Sequence, residues 1–312
     1  MTLSPTLPLK KGAIIEVIAP SSPLLQGPEA LNQIVNYIDS LGFQARIPVD
    51  IQGNDLLCAN TAEVRFHHLK QALHAPDSDA IWCIKGGYGA THLLPLLDTL
   101  PPPPTPKWLI GFSDITALHC YFNHQFGWPS LHAPMPGQVI NQKVDLASVE
   151  AIGNLLHSTP DSLHYALTPL NHSVKQTDAL TGSIHGGNLC VLQSLLGTPW
   201  NPQLDGAILF LEDVDEDTRR LHRMLVHLHQ AGMFNHLHGV ILGDFNRIPE
   251  KEDCPPLEPM LENFCQTCIP EALPVYRISG IGHTERNLPL PLGIPASITN
   301  DTLIIPLGGN HV

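Results

Sequence analysis

The sequence predicts an α/β fold in two domains: an N-terminal, doubly wound parallel sheet and a smaller, mixed α/β C-terminal domain. In the first half, short β-rich runs such as "AIIEVIA" and "AIWCIK" alternate with helical runs, which is typical of a parallel sheet with helices on both faces. This periodicity fades between about residues 157 and 182, and a second alternation of strand and helix then begins. A chain of 312 residues is long enough for about two domains.

The helices of the first half carry recognisable end signals. In "PEALNQIVNYIDSLG", Pro28 lies in the first turn and Gly42 lies just past the end, which are positions that these residues favour. A second helix is predicted to begin at "NTAEVRF", where Asn60 and Glu63 have the spacing of a capping box. Ligands of parallel sheets bind at the carboxyl ends of the strands. We therefore expect functional residues directly after the strands "AIWCIK" and "KWLIGF".

The predicted boundaries are residues 1–160 for the N-terminal domain, 161–178 for a linker and 179–312 for the C-terminal domain. The linker is rich in turn residues and has no strong apolar pattern. After it come the strand "GAILFLEDV", an acidic turn, a helix and the further strand "HGVILGDF". Apolar residues of that helix follow an i, i+3, i+4, i+7 pattern: Leu221, Met224, Leu225 and Leu228.

Charge and hydropathy exclude several classes of partner. The chain has 29 acidic against 16 basic residues, a net charge of −13, and no basic run of the kind expected of a nucleic-acid binder. The N-terminus lacks the order of charged, apolar and small residues that defines a signal peptide. No segment approaches the ~20 apolar residues that a membrane helix needs. We therefore expect a cytoplasmic protein with neither a nucleic-acid nor a membrane partner.

Candidate metal motifs fail on spacing, so the sequence predicts no metal and no organic cofactor. Seven cysteines are scattered along the chain, and the C-x-x-C pair of Cys265 and Cys268 has no second pair to complete a zinc site. The histidine-rich run "LHRMLVHLHQAGMFNHLHG" contains no H-E-x-x-H. The acidic run "LEDVDEDT" resembles the start of a calcium loop, but Thr218 and Met224 stand where glycine and glutamate are required.

Ser113, in "GFSDITALHC", lies where an apolar strand gives way to the first turn of a helix. A serine there is either a helix cap, whose side-chain oxygen accepts a first-turn N–H, or a nucleophile exposed on a strand-to-helix turn beside free backbone donors. The decapeptide alone favours the cap. The choice depends on which other chemically active residues the chain supplies.

The glycine-rich segment "KGGYGA" follows a predicted strand and invites three interpretations. The dinucleotide-binding fingerprint fails because Tyr88 occupies the position where a glycine is required, and no G-K-[ST] occurs in the chain. A tight strand-to-helix turn is the simplest interpretation. The third is an oxyanion hole, in which N–H groups of the turn donate to the negative charge that develops during acyl transfer.

Glu212 and His283 complete the set of candidate catalytic residues. Glu212 stands at the end of an apolar strand, where a side chain can project into a cleft, whereas the other acids of its run suit a solvated helix N-terminus. His283 lies in the glycine-bracketed turn "ISGIGHTERN", although a lone loop histidine is more often ordinary surface. With Ser113 the two supply a nucleophile, an acid and a base. Spacing in sequence does not show that the three meet.

A set of blocks in this chain resembles the LD-carboxypeptidases, the muramoyltetrapeptide carboxypeptidase family of serine peptidases. The blocks run from "VIAPSSP" almost to the C-terminus, in the family's order: "KGGYGATHLL", "GFSDITALH", "HGGNLCVLQSLLGTPW", "LFLEDV", "GVILGDF" and "GHTERNLPLPLG". The resemblance implies that Ser113 is the nucleophile, Glu212 the acid and His283 the base. It also implies that the amides of Gly87 and Asp114 form the oxyanion hole, that the site lies in a cleft between the domains, and that the protein forms a homodimer.

The implied activity is removal of the terminal D-alanine from a murein tetrapeptide in cell-wall recycling. An immunity peptidase of the microcin C type, which cleaves aminoacyl-nucleotide analogues, and a non-catalytic muropeptide-binding protein are the alternatives. Substrate-binding roles are expected for residues beside the nucleophile and the base: Lys85, Gly86, Tyr88 and Arg286. The family usually has arginine before "GGYG" and before "LL", where this chain has Lys85 and His92. Lysine keeps the charge but loses the planar fork that grips a carboxylate.

Overall fold

The described residues build two sheets, one in each of two units. The computed structural model describes residues 7–158, 160–171, 179–246 and 255–307. The chain divides into unit 1, Met1–Thr159 with Asn287–Pro291, and unit 2, Pro160–Arg286 with Leu292–Val312. Within the described ranges no helix has the length and apolar character needed to cross a membrane.

Unit 1 is built on a six-stranded sheet of order β12-β5-β4-β3-β1-β2. All neighbouring pairs from β5 to β2 are parallel. The strands are β1 (Ile14–Ile18), β2 (Gln44–Arg46), β3 (Ser78–Cys83), β4 (Trp108–Gly111), β5 (Ser130–His132) and, from late in the chain, β12 (Leu290–Leu292). The helices are α1 (Pro28–Ser40), α2 (Ala62–His74), α3 (Leu94–Leu97), α4 (Thr116–Tyr121), α5 (Pro136–Ile140) and α6 (Leu146–His157). This arrangement confirms the predicted α/β class, and it brings the loops after β1, β3 and β4 to one edge of the sheet.

The ends of α1 and α2 test the predicted signals. Helix α1 begins at Pro28 as predicted, and Gly42, just beyond its end, has the left-handed φ of 75° that favours glycine. The predicted cap of α2 is wrong by one residue. Thr61, not Asn60, is the N-cap, and its hydroxyl accepts the N–H of Val64. Asn60 instead donates from its side chain to the carbonyl of Asp50, so its polar group serves a neighbouring loop.

Unit 2 is built on an eight-stranded mixed sheet of order β6-β14-β13-β8-β9-β10-β11-β7. Its four central strands are parallel, β8 (Leu180–Asn188), β9 (Ile208–Val214), β10 (Gly239–Asn246) and β11 (Val275–Arg277). The antiparallel flanks are β13 (Pro295–Thr299), β14 (Thr302–Pro306), β6 (Ser162–Ala166) and β7 (Thr168–Pro169). The helices are α7 (Leu189–Ser194), α8 (Thr218–Gln230) and α9 (Leu257–Thr267).

The segment predicted as a linker contains two strands of the unit 2 sheet. Within 161–178, β6 and β7 join opposite edges of the unit 2 sheet, while residues 172–178 lie outside the described part of the chain.

Helix α8 buries the four residues that its periodicity singled out, Leu221, Met224, Leu225 and Leu228. At about 25 cal/mol per Å² of apolar surface, burying each such side chain contributes roughly 1.5–3 kcal/mol. Helix α8 packs against α7 and α9 of the same unit.

Candidate active site

Ser113 opens a short 3-10 turn directly after β4 and has an unusual backbone conformation. Its φ is 64°, in the left-handed region that non-glycine residues rarely adopt. The N-cap of the turn is Phe112, and no side chain caps it. Ser113 is therefore not the helix cap that the local sequence favoured. A strained serine between a parallel strand and a helix, partly exposed, has the geometry of a nucleophile elbow.

The glycine-rich turn after β3 packs directly against this serine. A Cβ on Gly86 would lie 2.9 Å from the Cβ and 3.1 Å from the Oγ of Ser113, so this approach requires glycine. Gly87 and Gly89 have φ values of 113° and 119°, which only glycine adopts readily. Among the described residues, no acceptor within the protein is hydrogen-bonded to the Gly87 amide. The turn thus supplies a backbone donor in the same unit as Ser113.

The carboxylate of Asp114 ties three loops of unit 1 together. It accepts hydrogen bonds from the hydroxyl of Ser21, at 2.6 Å, and from the amide of Ala90, at 2.8 Å. Burial raises the Asp114 pKa, and these two donors oppose that rise. The family resemblance implied a role only for the backbone amide of Asp114. Its side-chain role went unseen because Ser21 and Ala90 are distant in the chain.

Buried Arg65 donates hydrogen bonds to backbone carbonyls of the loop after β1 and of the glycine-rich turn. Its guanidinium donates to the carbonyls of Asn60 and Gly89, each at 2.8 Å, and to the carbonyl of Pro20. Buried carbonyls of loops need such donors. Arg65 therefore holds the loop after β1 against the glycine-rich turn.

Lys85 and Tyr88 flank the glycines of this turn. Lys85 is half-buried and donates to the carbonyl of Pro23 at 3.2 Å. Burial lowers the Lys85 pKa, and the positive charge of Lys143 lowers it further. Tyr88 is 49% exposed, and its ring stands edge-on to that of His92 at 5.3 Å. Among the described residues no carboxylate forms an ion pair with Lys85, so this cation is suited to contact an anionic ligand. The exposed ring of Tyr88 offers an apolar surface beside it.

Glu212 and His283 meet inside unit 2. Glu212 lies on β9 with no exposed surface, and its Oε2 is 2.6 Å from the Nδ1 of His283. Because a carboxylate oxygen accepts, Nδ1 carries the hydrogen and donates it. In the neutral ring Nε2 is then the nitrogen that can accept a proton. Burial opposes protonation of His283, but the charge and hydrogen bond of Glu212 outweigh it and raise the His283 pKa. This is the arrangement of a general base oriented by an acid.

Two further polar residues surround Glu212. Asn188, at the end of β8, donates from its side chain to Glu212 at 3.5 Å and to Asp213 at 2.9 Å. Asp213 also accepts the amides of Cys190 and Val214, at 2.9 and 2.8 Å. Burial, together with the charge of Glu212, raises the Asp213 pKa to about 6. Neither residue was singled out from the sequence, although Asn188 carries the signal of an N-cap directly after a strand.

Arg286 follows His283 on an exposed loop. Its aliphatic carbons lie over Gly280, where an added Cβ would come within 2.8 Å of the Arg286 Cγ and Cδ. The structure thus groups the predicted site residues by unit. Ser113, Asp114 and the turn of Lys85 to Tyr88 lie in unit 1, whereas the acid, the base and Arg286 lie in unit 2. Their catalytic and binding roles remain predictions.

Comparison with known proteins covers nearly the whole chain. Residues 15–133 match the sequence model of the LD-carboxypeptidase N-terminal domain, and residues 181–298 match that of the C-terminal domain. The murein tetrapeptide carboxypeptidase of Pseudomonas aeruginosa is 30% identical over 299 residues, which are 93% of this chain and 94% of that protein.

Solved structures share the fold. The muramoyltetrapeptide carboxypeptidase of Oxalobacter formigenes aligns with a TM-score of 0.79 at 24% identity, covering 94% of this chain and 99% of that one. The structure of MccF in complex with glutamyl sulfamoyl guanosine aligns with a TM-score of 0.81 at 21% identity, covering 96% and 98%. At these identities the likeness concerns the fold alone. On the two domain matches and the sequence identity, the chain belongs to the LD-carboxypeptidase family and is a serine-type carboxypeptidase.

Proposed function

We propose that this protein removes the terminal D-alanine from murein tetrapeptide, by acyl transfer through Ser113, in peptidoglycan recycling. The observation that carries the proposal is the hydrogen bond between buried Glu212 and Nδ1 of His283. It leaves the second ring nitrogen as a base, which is what a serine nucleophile needs. The substrate class comes from the relative in Pseudomonas aeruginosa.

In the proposed reaction, Nε2 of His283 takes the proton of the Ser113 hydroxyl as Oγ attacks the carbonyl carbon before D-alanine. Amides of Gly87 and Asp114 stabilise the resulting oxyanion. The imidazolium, stabilised by Glu212, returns its proton to the leaving amine of D-alanine as the C–N bond breaks. Water, deprotonated by His283, then attacks the acyl carbon. The imidazolium returns that proton to Oγ of Ser113 as the ester C–O bond breaks and the tripeptide leaves.

Substrate anchoring is assigned to the groups beside the nucleophile and the base. A carboxypeptidase recognises a free terminal carboxylate, and Lys85, one residue before Gly86, is a half-buried cation suited to that anion. Tyr88 offers an exposed ring for the peptide, and Arg286 is the alternative cation. In this proposal Gly86 keeps the space beside Ser113 free for the acyl group.

The deciding experiment measures D-alanine released from purified murein tetrapeptide, with Ser113→Ala as the control. Release by the wild type and none by the variant supports the proposal. Cleavage of an aminoacyl sulfamoyl nucleotide with no D-alanine release would instead identify an immunity-type peptidase. Tight tetrapeptide binding without turnover of either substrate would identify a binding protein. A cytoplasmic location and a homodimer complete the proposal, and fractionation and light scattering test them.

A further inference from the structure

The loop that carries His283 is held by the neighbouring strand as well as by Glu212. Strand β10 runs parallel to β9, and its register shifts between Leu242 and Phe245. Asp244 lies at this irregularity. Its carboxylate accepts the amide of Gly280 at 2.9 Å and the hydroxyl of Thr284 at 3.0 Å. One carboxylate thus fixes both sides of the turn that contains His283.

Backbone contacts reinforce this attachment. The amide of Asp244 donates to the carbonyl of Ile281 at 2.9 Å. Gly282, with φ of 144°, lies between the two strands: a Cβ there would be 3.0 Å from the Asp244 carbonyl oxygen and 3.3 Å from Oε2 of Glu212. The Oγ1 of Thr284 also lies 2.7 Å from the carbonyl oxygen of Arg286, so its single proton is shared between that oxygen and the Asp244 carboxylate. The residues on either side of His283 are therefore held by β10, independently of the contact between Glu212 and the His283 ring.

We propose that Asp244 is a positioning residue for the catalytic base: it holds loop 280–284 so that Nδ1 of His283 stays within hydrogen-bonding distance of Glu212. This inference rests on the proposed function for its effect on turnover. The hydrogen bonds of the Asp244 carboxylate go to Gly280 and Thr284, so Asp244 acts on the His283 ring through the loop. A displacement of the base by about 1 Å can cost on the order of a hundredfold in rate.

Several charges face the imidazole, and they determine what a loosened loop would do. Glu212 and Asp213 on β9 and Asp215 in the turn after it act on the ring and raise its pKa. The carboxylate of Asp244 on β10 contacts the loop on both sides of His283, and Arg286 follows on the loop itself. If the ring moves away from Glu212, it loses the strongest stabilisation of its charged form. The His283 pKa should then fall.

The test compares Asp244→Asn with wild type by NMR and by kinetics. In protein labelled with ¹⁵N-histidine, we expect the downfield Nδ1 proton of His283 to weaken or move upfield, and the His283 pKa to fall. On tetrapeptide, kcat should drop by on the order of tenfold to a hundredfold with little change in KM. The acid limb of the pH profile should move to lower pH.

Matched variants separate positioning from general stability. Asp217 caps α8 by accepting the amide of Arg220 at 2.9 Å. Asp217→Asn makes the same change of carboxylate to amide away from the loop, keeps an oxygen that can cap the helix, and should leave the His283 resonance unchanged. Thr284→Val should reproduce part of the Asp244→Asn effect, and Thr284→Ser, which keeps the hydroxyl, should restore it. These milder changes keep the test valid if Asp244→Asn does not fold.

An unchanged His283 resonance and pKa in both Asp244→Asn and Thr284→Val would overturn the positioning role. The NMR measurements need no substrate. The proposed function fails separately, if the wild type releases no D-alanine.

Discussion

The two units prepare their parts of the site by different physical means. In unit 1 the means are steric and conformational: Ser113 has a left-handed φ, Gly86 admits it at close range, and Gly87 and Gly89 adopt conformations open to glycine. In unit 2 the means are electrostatic: buried Glu212 orients His283 and raises its pKa. Substitutions in the unit 1 part of the site should therefore lower activity by the same factor at every pH. Substitutions in the unit 2 part should shift the pH profile of kcat/KM.

The largest effect is expected for Ser113→Ala. Loss of the nucleophile should reduce kcat by on the order of 10⁴ or more, because a catalytic triad acts as a unit and only binding and the oxyanion hole remain. Substrate binding and the melting temperature should stay close to wild type. Steady-state kinetics and isothermal titration with tetrapeptide measure both. Activity within tenfold of wild type would remove Ser113 from the mechanism.

Glu212→Gln should come next and should reveal the electrostatic character of unit 2. We expect kcat/KM to fall on the order of 10²–10⁴-fold, because the amide cannot stabilise the imidazolium as a carboxylate does. The base acts as neutral imidazole, and Glu212 raises its pKa in the wild type. Without that charge, burial lowers the pKa, so the acid limb of the kcat/KM profile should move to lower pH. The deficit should therefore be greatest at high pH and should shrink as pH falls.

Asp213→Asn is the control for this profile. Asp213 has a pKa raised to about 6 by burial and the charge of Glu212, and its own charge contributes to raising the His283 pKa. With Glu212 intact, this variant should keep the acid limb above its position in Glu212→Gln. Equal limbs in the two variants would show that Glu212 does not set the pKa of the base.

Gly86→Ala tests the steric character of unit 1. The added methyl would lie 2.9 Å from the Cβ of Ser113, so the serine must shift, and kcat should fall about a hundredfold. The pH profile should keep its wild-type shape. Gly27→Ala is the matched control, because a Cβ there meets no heavy atom within 4 Å. A shifted acid limb in Gly86→Ala would break the distinction between the units.

The sequence revealed elements whose determinants are local. The apolar periodicity of α8 and the Pro28 and Gly42 signals of α1 lie within the elements they define. Strand β6 escaped detection because its partner β14 pairs Ser162 with Pro306, far along the chain. The choice between Asn60 and Thr61 as the cap of α2 also depended on a distant group, the carbonyl of Asp50.

The candidate site follows the same rule. Residue types at strand ends indicated Ser113 and Glu212, a glycine-bracketed turn indicated His283, and the family resemblance implied their roles. No pattern encodes the positive φ of Ser113 or the 2.6 Å contact between Glu212 and His283. Asp244 escaped notice because its partners, Gly280 and Thr284, come from a loop more than thirty residues later. Residues that position others through long-range hydrogen bonds cannot be recognised from one sequence.

The smallest effect is expected at Lys85, the one charged residue of unit 1 to which the proposal gives a substrate contact. If Lys85 binds the terminal carboxylate, Lys85→Ala should lower kcat/KM by on the order of tenfold to a hundredfold, the loss of a charge-assisted hydrogen bond worth about 1.5–3 kcal/mol. Lys85→Arg should retain or improve activity, since the planar guanidinium also binds a carboxylate.

The control is a tetrapeptide whose terminal carboxylate is amidated. On it, wild type and Lys85→Ala should become nearly equal, because the group that Lys85 binds is gone. If Lys85→Ala loses the same factor on both substrates, Lys85 serves only the turn, through its bond to the carbonyl of Pro23. Unit 1 would then act through backbone geometry alone, and Arg286 of unit 2 would become the candidate anchor.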